Sequence, residues 1–409
     1  MSKRLYRSCI IAATGLFASL AALPLHAVDA SANAPMNDGI DRTAPNFVKA
    51  SLLVVDPGEI MYSCFGHAVI RLECPKFDLD YCFSYESEGI LENKWRFFRG
   101  DLKMGMFAVP TEEFLKPYVA ERRGVKQYAL NLPADAKQRL WKYLDGKVAE
   151  GVNLKYDQVE RCCAQSVYRQ ILHAADPLPV RHHYWPEGFA GDKTRREIAR
   201  EFLAGLPWTS FVMSAVSGST LDEQCSEAEK IIIPRDTVAV LQRSTVNGTP
   251  ILDVQSVQLL PAHPLKKPIA VTPMMIACVT LALSVVNLFV AHWALDVGLL
   301  ALYSVFAFVF SILVGFSALP TNGWNWMLVP FNPLPIVLWR WRRTWGGGFA
   351  AFLGVFALMV AGMSHRITEW PYVVFIAAFA ILFAKPLIRR AFLDRTRAGI
   401  RAADGQMMK

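Results

Sequence analysis

The residues Phe65-Gly66-His67-Ala68-Val69-Ile70-Arg71-Leu72 decide how the first half of this chain folds. Side chains alternate between the two faces of a β-strand, so His67 shares one face with Val69 and Arg71. The opposite face is wholly apolar. The pattern therefore predicts a strand that packs against a core on one side and presents a histidine on the other.

The flanking sequence supplies neighbours for this strand. A buried strand is predicted at 48–55, ended by the turn residues Asp56-Pro57-Gly58, and another strand is predicted at 81–85. Helical spacing and capping residues predict four helices, at 111–121, 134–146, 163–174 and 194–203. This mixture of strands and helices is of the α+β class.

A cysteine stands at the predicted start of the third helix, in Tyr156-Asp157-Gln158-Val159-Glu160-Arg161-Cys162-Cys163-Ala164. Cys163, Val167 and Ile171 recur at helical spacing, which places Cys163 in the first turn. Backbone N–H groups and the helix dipole favour a thiolate there. A histidine base, His67, and a cysteine nucleophile are the minimum set for covalent acyl chemistry. Both residues also have structural interpretations, as a core histidine and as a disulfide half or core filler.

A third residue that orients the histidine is expected on the neighbouring strand. Asp80, Ser84 and Tyr85 are the candidates, and the sequence does not choose among them. Gly66, which precedes His67, leaves room for the close approach of another backbone or of a ligand.

Metal binding and disulfide formation are competing uses of these residue types. No CxxC or HxxxH spacing accompanies the histidines and cysteines, so neither a metal nor a cofactor is expected. In an oxidising compartment a disulfide is the default state, and Cys74 and Cys82 flank a short turn that such a bond could staple. Cys162 and Cys163 are poorly placed to bond each other, because a disulfide needs a larger Cα separation than adjacent residues have.

The N-terminus has the form of an export signal. Residues 1–30 combine a basic start, an apolar run and small residues, which predicts a secretory signal peptide. A small, polar leader follows at 31–46, and the exported folded domain is expected at 47–262. The net charge of +8 comes from basic residues in the signal and at the predicted cytoplasmic ends, so nucleic acid is excluded as a partner.

The last third of the chain is apolar enough to enter a membrane. An all-α bundle of about five spans is predicted within 263–391, at 269–291, 295–318, 324–339, 349–363 and 372–388. Three prolines interrupt the third span, which is typical of a broken or re-entrant helix. Five crossings place both basic clusters and the tail 392–409 in the cytoplasm, as the positive-inside rule requires. The predicted location is the bacterial inner membrane, with the exported domain in the periplasm and no indication of an oligomeric state.

Polar residues near the membrane boundaries are candidates for substrate contact. Lys266 and Lys267 are expected to anchor lipid headgroups. Four residues within or just before the third span are unusual for a membrane segment, where amides need partners. They are Asn322, Trp324, Asn325 and Asn332. These residues either hold helices together or form a substrate-contacting lip that faces the exported domain.

Several motifs together resemble the periplasmic Lnb-type domain. They are Ser51-Leu52-Leu53, Pro57-Gly58, Met61-Tyr62-Ser63, 65–71, Phe98-Arg99-Gly100, Leu130-Asn131-Leu132, Tyr156, Cys163, Pro207-Trp208, Asp222 and Ile233-Pro234. The similarity covers about 48–241, and the membrane part resembles full-length Lnb-type lipoprotein N-acyltransferases through Asn322-Gly323-Trp324-Asn325 and Asn332-Pro333-Leu334. The order of histidine before cysteine is similar to circularly permuted papain-like proteins of the NlpC/P60 group, which include lecithin:retinol acyltransferase.

The resemblance implies a permuted papain-like domain with Cys163 as nucleophile and His67 as its base. It implies that a fatty acyl chain moves from a membrane phospholipid, through a cysteine thioester, to the N-terminal amine of a diacylglyceryl-cysteine lipoprotein. The chain departs from the family pattern at Cys162, where the family usually has asparagine, and at Leu319-Pro320, where the family usually has His-Pro. Ala164-Gln165 also stands where the cysteine is often followed by Ser/Ala-Thr. The alternatives are a cell-wall amidase or peptidase of the NlpC/P60 type, a phospholipase, and a non-catalytic membrane-anchored module.

Overall fold

The computed structural model describes most of the chain beyond its N-terminus. The described residues are 41–60, 63–87, 96, 99–152, 154–155, 162–176, 178, 180–182, 193–223, 226, 228–264, 269–318, 324–363 and 369–407, with side chains up to 392. The predicted signal peptide lies outside the described residues. Three of the candidate contact residues, Lys266, Lys267 and Asn322, lie outside them as well.

Seven antiparallel strands form the main sheet of the N-terminal region. Their bounds are Lys49–Val55 (β1), His67–Cys74 (β2), Leu79–Ser87 (β3), Lys103–Pro110 (β4), Val125–Leu130 (β5), Leu154–Lys155 (β6) and, later in the chain, Leu252–Leu260 (β10). The order across the sheet is β10-β5-β1-β2-β3-β4-β6. A second, small sheet consists of Val180–Arg181 (β7), Thr245–Val246 (β8) and Thr249–Pro250 (β9).

The helices of the N-terminal region lie between these strands in the chain. They are Thr111–Glu121 (α1), Ala134–Glu150 (α2), Cys163–Ala175 (α3), Arg195–Phe202 (α4), Pro207–Val216 (α5) and Pro234–Arg243 (α6). All four predicted helices are confirmed. The second continues past its predicted end at Gly146, because Val148 still packs against the core.

The two faces of the sheet are packed differently. Ala68, Ile70 and Leu72 of β2 point into the larger apolar cluster, which lies against α2, α3 and α6. Val69 points into a smaller cluster on the other face, where Phe114 of α1 covers it. The predicted alternation of β2 is therefore confirmed, and His67 lies on the face that α1 covers.

The disulfide considered between Cys74 and Cys82 is not formed, and that interpretation was wrong. The register of β2 and β3 pairs Cys74 with Leu79 and pairs Cys82 with Arg71. These two positions lie on opposite faces of the sheet, so their side chains cannot meet. No disulfide joins any of the described cysteines.

The C-terminal region is helical. Its helices are Pro273–Val290 (α7), Trp293–Phe316 (α8), Leu334–Val337 (α9), Arg342–Gly362 (α10) and Trp370–Met407 (α11). Within the described residues, four segments are long and apolar enough to cross a membrane, namely Pro273–Val290, Trp293–Phe316, Trp339–Gly362 and Trp370–Phe392.

The predicted third span, 324–339, is broken, as its prolines indicate, and the predicted number of about five helical spans is corrected to four among the described residues. Only a 3-10 turn at Trp326–Leu328 and the short α9 are helical there, because proline removes backbone donors and clashes with the preceding turn. Tyr303 of α8 holds the broken stretch instead. Its hydroxyl donates to the carbonyl oxygens of Pro330 and Asn332, at 3.1 and 2.9 Å.

The broken stretch nevertheless connects the two ends of the bundle. At one end the carbonyl of Trp324 accepts a hydrogen bond from the backbone N–H of Ser219 in the N-terminal region, at 2.9 Å. At the other end the guanidinium of Arg342 lies 3.7 Å from the carboxylate of Asp296, near the start of α8. The chain therefore passes along the bundle five times, four times as a long helix and once as this broken stretch.

A buried polar cluster joins three helices at the end of the bundle far from the N-terminal region. The ammonium of Lys385 donates to Asp296 at 2.6 Å and to Asn287 at 2.9 Å. The amide of Asn287 donates to the same carboxylate oxygen at 2.7 Å. Ionisable groups are expensive in hydrocarbon unless they are paired in this way.

We expect Lys385→Met to lower the free energy of unfolding by about 3 kcal/mol. The change removes the close cation of the Asp296 carboxylate and leaves it with the neutral Asn287 amide and the more distant guanidinium of Arg342. Adding Asp296→Asn in the same chain should restore most of the loss. The measurement is thermal unfolding in detergent, with the exposed Arg390 replaced by Met as the matched control. A Lys385→Met variant as stable as that control would contradict the expectation.

Candidate active site

The strand register brings His67 to one edge of the main sheet. Val55, the last residue of β1, pairs with His67 on one side and with Val125 of β5 on the other. Gly66 turns the chain into β2 with a φ of 85°, and a Cβ at this position would lie 2.5 Å from the carbonyl oxygen of Val55. Only glycine fits this close approach.

Helix α3 brings Cys163 to the same place. The helix begins at Cys163, as predicted, and its first turns pack into the larger core through Ala164 and Val167. This packing fixes the N-terminus of α3 against the start of β2. The side chains of Cys163 and His67, both half-buried, form a hydrogen bond there.

Ser84 and Glu86 form further hydrogen bonds on the other side of the His67 imidazole. Nε2 of His67 lies 2.8 Å from Oγ of Ser84, and the Ser84 hydroxyl donates to a carboxylate oxygen of Glu86 at 2.7 Å. Since the hydroxyl proton is used by Glu86, Ser84 accepts the Nε2–H of His67. Nδ1 is then the ring nitrogen left for Cys163. The order of contacts is Cys163, His67, Ser84, Glu86.

The two reactive groups shift each other's pKa. Burial acts against the charged form of each group, but the charge and hydrogen bond of the partner outweigh it, so the pKa of Cys163 is lowered and that of His67 is raised. Glu86 adds to the rise for His67, and the backbone N–H groups of Ala68 and Ala164 add to the fall for Cys163. The contact therefore favours the charged form of both groups relative to either group buried alone.

The adjacent residue, Cys162, shows how burial changes the pKa of a thiol that does not contact His67. Cys162 caps α3 with extended backbone but makes no side-chain cap. Burial and the neighbouring Cys163 raise the pKa of the Cys162 thiol to about 12. One of two consecutive thiols is therefore activated and the other stays protonated, because only one reaches the imidazole.

The structure separates the three candidates for the orienting residue. Ser84 is fully buried and contacts His67. Asp80 lies further along the same face, where it binds the guanidinium of Arg71 through two hydrogen bonds, at 2.8 and 2.7 Å. Tyr85 packs against the larger core on the opposite face. Asp80 and Tyr85 as orienting residues are thus corrected, because their positions along and across β3 point them elsewhere.

The described lip residues of the third span make contacts within the protein, with their own turns and with the N-terminal region. The amide of Asn325 donates to the carbonyl of Ala215 at 2.6 Å, and its oxygen caps the 3-10 turn. The amide of Asn332 bridges the backbone of its own turn. Trp324 is half exposed and packs edge-on against Trp326. These contacts correspond to the structural interpretation of the set, and none of them reaches His67 or Cys163.

The edge of the sheet that carries His67 faces the helical region. In an antiparallel sheet the ends of alternate strands meet at one edge. At this edge β10 ends opposite Val125, and α7 follows it in the chain. At the same edge Ala318, just beyond α8, donates its N–H to the carbonyl of Arg99 at 2.9 Å and accepts a hydrogen bond from Lys155 at 3.1 Å.

Helices α4 and α5 bridge the two regions beside this edge. The hydroxyls of Ser210 and Ser214 both donate to the carboxylate of Glu369, which precedes α11. The ring of Phe211 stacks on Tyr372 with centroids 4.3 Å apart. A cavity of about 550 Å³ opens at this junction, and neither His67 nor Cys163 lines it. No group of three or more metal-ligating side chains occurs among the described residues.

Sequence reasoning missed Glu86, and a signal for it existed. The predicted strand ended at residue 85, whereas β3 continues to Ser87. Extending the period of two from Ser84 places Glu86 on the face of His67.

The N-terminal region matches a known family. Residues 38–192 match the family model described as the Lnb N-terminal periplasmic domain, which is less than half of the chain. No curated protein and no solved structure matches the chain. The chain therefore joins a region similar to a periplasmic domain to four helices able to span a membrane, and the permuted papain-like fold stays a prediction.

Alkylation of Cys163 by iodoacetamide should proceed at pH values below 9.0, the ordinary thiol pKa, because His67 lowers the pKa of this thiol. The rate should fall only as the pH drops through the lowered pKa. In His67→Ala the inflection should move upward, since the largest opposition to burial, the charge and hydrogen bond of His67, is then lost. Peptide mass mapping measures the modification site, and Cys162→Ser, as the control, should keep the wild-type profile. An unmoved inflection in His67→Ala would contradict the ion pair.

Ser84→Ala should lower the alkylation rate of Cys163 near neutral pH about 10- to 100-fold, because the buried Nε2–H of His67 loses its acceptor. Glu86→Gln should have a smaller effect in the same direction, since Glu86 is exposed and acts on the pKa of His67 from a distance. The control is Ser87→Ala, which removes a neighbouring hydroxyl that has no partner among the described residues. Equal alkylation rates in Ser84→Ala and Ser87→Ala would show that Ser84 does not support the reactivity of Cys163.

Proposed function

We propose that this protein is a lipoprotein N-acyltransferase that moves a fatty acyl chain from a membrane phospholipid to the N-terminal amine of a diacylglyceryl-cysteine lipoprotein. The observation that carries the proposal is the activated thiol of Cys163 beside His67, at the sheet edge that faces the helical region. The match to the Lnb N-terminal periplasmic domain supports the same assignment.

The first half of the reaction forms a thioester. The Cys163 thiolate attacks the carbonyl carbon of a phospholipid ester, and the carbon–oxygen bond to glycerol then breaks. The leaving alkoxide takes the proton of the His67 imidazolium and departs as a lysophospholipid. Backbone N–H groups around Cys163, such as that of Ala164, are the natural donors to the oxyanion of the tetrahedral intermediate.

The second half passes the acyl chain to the lipoprotein. The neutral amine of the diacylglyceryl-cysteine attacks the thioester carbonyl, and neutral His67 accepts the proton that the amine loses. The carbon–sulfur bond breaks, which restores the Cys163 thiolate beside an imidazolium. Ser84 and Glu86 keep the imidazole in one orientation through both steps and favour its charged form.

The membrane helices have a role in this scheme, because water competes with the amine for the thioester. A site that opens toward a bilayer keeps both lipid substrates close and limits the access of water. A soluble domain with the same two residues would hydrolyse its thioester instead. The junction of the sheet edge with α7 and α8 is the feature that favours transfer over hydrolysis.

The test is mass spectrometry of lipoprotein N-termini in cells where this protein replaces the usual N-acylating enzyme. The wild type should add one acyl chain to the diacyl form, whereas Cys163→Ala and His67→Ala should leave it diacylated. Cys162→Ser is the matched control, since it removes the neighbouring thiol, whose raised pKa keeps it protonated, and should leave acylation intact.

Diacyl lipoproteins in cells with the wild-type protein would reject the acyltransferase. Release of free fatty acid by the purified protein without N-acylation would instead favour a phospholipase. Cleavage of cell-wall peptides by residues 31–262 alone would favour the amidase or peptidase, and full function in Cys163→Ser would favour the non-catalytic module.

A further inference from the structure

A buried arginine lies at the same sheet edge as the reactive pair. Arg123 precedes β5, whose first residue, Val125, pairs with Val55, and Val55 also pairs with His67. The guanidinium Nε of Arg123 donates to the carbonyl oxygen of Asp56, directly after β1, at 2.8 Å. Arg123 is thus held two strands away from His67, at the level where β2 begins.

Only some of the N–H groups of the Arg123 guanidinium form hydrogen bonds within the described part of the chain. Its side chain is 8% exposed, and Nη1 donates to Glu121 at 3.1 Å. The guanidinium also lies 5.1 Å from the ring centroid of Tyr118. Nη2, however, is buried without a hydrogen-bond partner in the described part of the chain. A buried donor of a charged group is costly to leave unpaired, so an unfilled one indicates a missing ligand.

The surroundings of Arg123 connect it electrostatically to the reactive pair. Its charge lowers the pKa of His67, in opposition to Cys163. Burial raises the pKa of Tyr118, and the charges of Glu86, Arg123 and Cys163 also act on that hydroxyl. Tyr118 is thus close to all three groups. The Glu121 carboxylate neutralises Arg123 only weakly, because it is 41% exposed and therefore screened by water.

We propose that Arg123 binds the phosphate of the acyl donor through Nη2 and so positions the donor's ester at Cys163. The assignment rests on the proposed function and deepens it, because it names the headgroup chemistry that the site recognises. In a glycerophospholipid the phosphate and the esters share one glycerol unit, so a group that holds the phosphate must lie near the nucleophile. A guanidinium with a free N–H suits a phosphate oxygen.

The test compares two acyl donors on the full-length protein in detergent. One donor is phosphatidylethanolamine, and the other is p-nitrophenyl palmitate, an ester without a phosphate. Intact-mass spectrometry measures the rate at which Cys163 gains an acyl group. Arg123→Gln should lower the rate about 10- to 100-fold with the phospholipid, whereas the rate with the neutral ester should stay within about twofold of wild type.

Two variants make the comparison specific. Arg122→Gln removes the same charge from the adjacent, exposed residue and should leave both rates unchanged. Arg123→Lys keeps the positive charge and should recover part of the rate with the phospholipid. An equal loss with both donors in Arg123→Gln would assign the residue to the fold or to the oxyanion and reject phosphate binding, as would no loss with the phospholipid.

A second measurement needs neither turnover nor a variant. Glycerol 3-phosphate should slow the alkylation of Cys163 in the wild-type protein, whereas glycerol at the same concentration should not. Absence of protection would overturn the phosphate site. If the wild type is acylated by neither donor, the proposed function fails at its first step and the assignment of Arg123 falls with it, whereas a loss independent of the headgroup rejects the assignment alone.

Discussion

The contact between the Cys163 thiol and the His67 imidazole is the interaction on which the rest of the site depends. Burial acts against a charge on either group, so each would be neutral by itself. Their contact opposes this effect of burial, because the charged form of each group stabilises the charged form of the other. Cys162 provides the comparison within the same chain: it is one residue away, lacks the imidazole, and has a pKa raised to about 12.

The fold of the N-terminal region brings His67 and Cys163 together. β2 contributes the histidine, α3 contributes the cysteine, and the larger apolar core holds the helix on the strand. Gly66 is required because the carbonyl of Val55 occupies the space where a side chain would stand. The same sheet edge receives Arg123 from the α1–β5 connection and contacts Ala318 beyond α8. Cys163, His67, Arg123 and the helical region therefore meet at a single edge.

Polar groups in the helical bundle are paired by hydrogen bonds and by an ion pair. The prolines of the third predicted span prevent a helix, and Tyr303 satisfies the carbonyls that the break leaves open. Asp296 and Lys385 neutralise each other at the far end. These contacts leave the described part of the bundle with four long helices and one broken passage. The polar groups named here find partners inside the protein, as groups surrounded by lipid must.

Local sequence patterns determined much of this protein. Period-two alternation placed His67 on its face of β2, helical spacing placed Cys163 at the start of α3, and apolar length located the membrane segments. Both periods are local properties of the backbone, so a single sequence reveals them. Local patterns did not identify which residue contacts His67. Asp80, Ser84 and Tyr85 were equivalent in sequence, and only the register of β2 against β3 selected Ser84.

The tertiary structure alone decided which distant residues share the site. Arg123 approaches His67 through the order of strands in the sheet, which no local pattern encodes, and Glu86 does so through the pairing of β3 beside β2. The same holds for the cysteines, since Cys74 and Cys82 are close in sequence but lie on opposite faces. Sequence determines what each segment prefers to become, and the packing of those segments decides which side chains touch, because contact depends on register and burial across the whole chain.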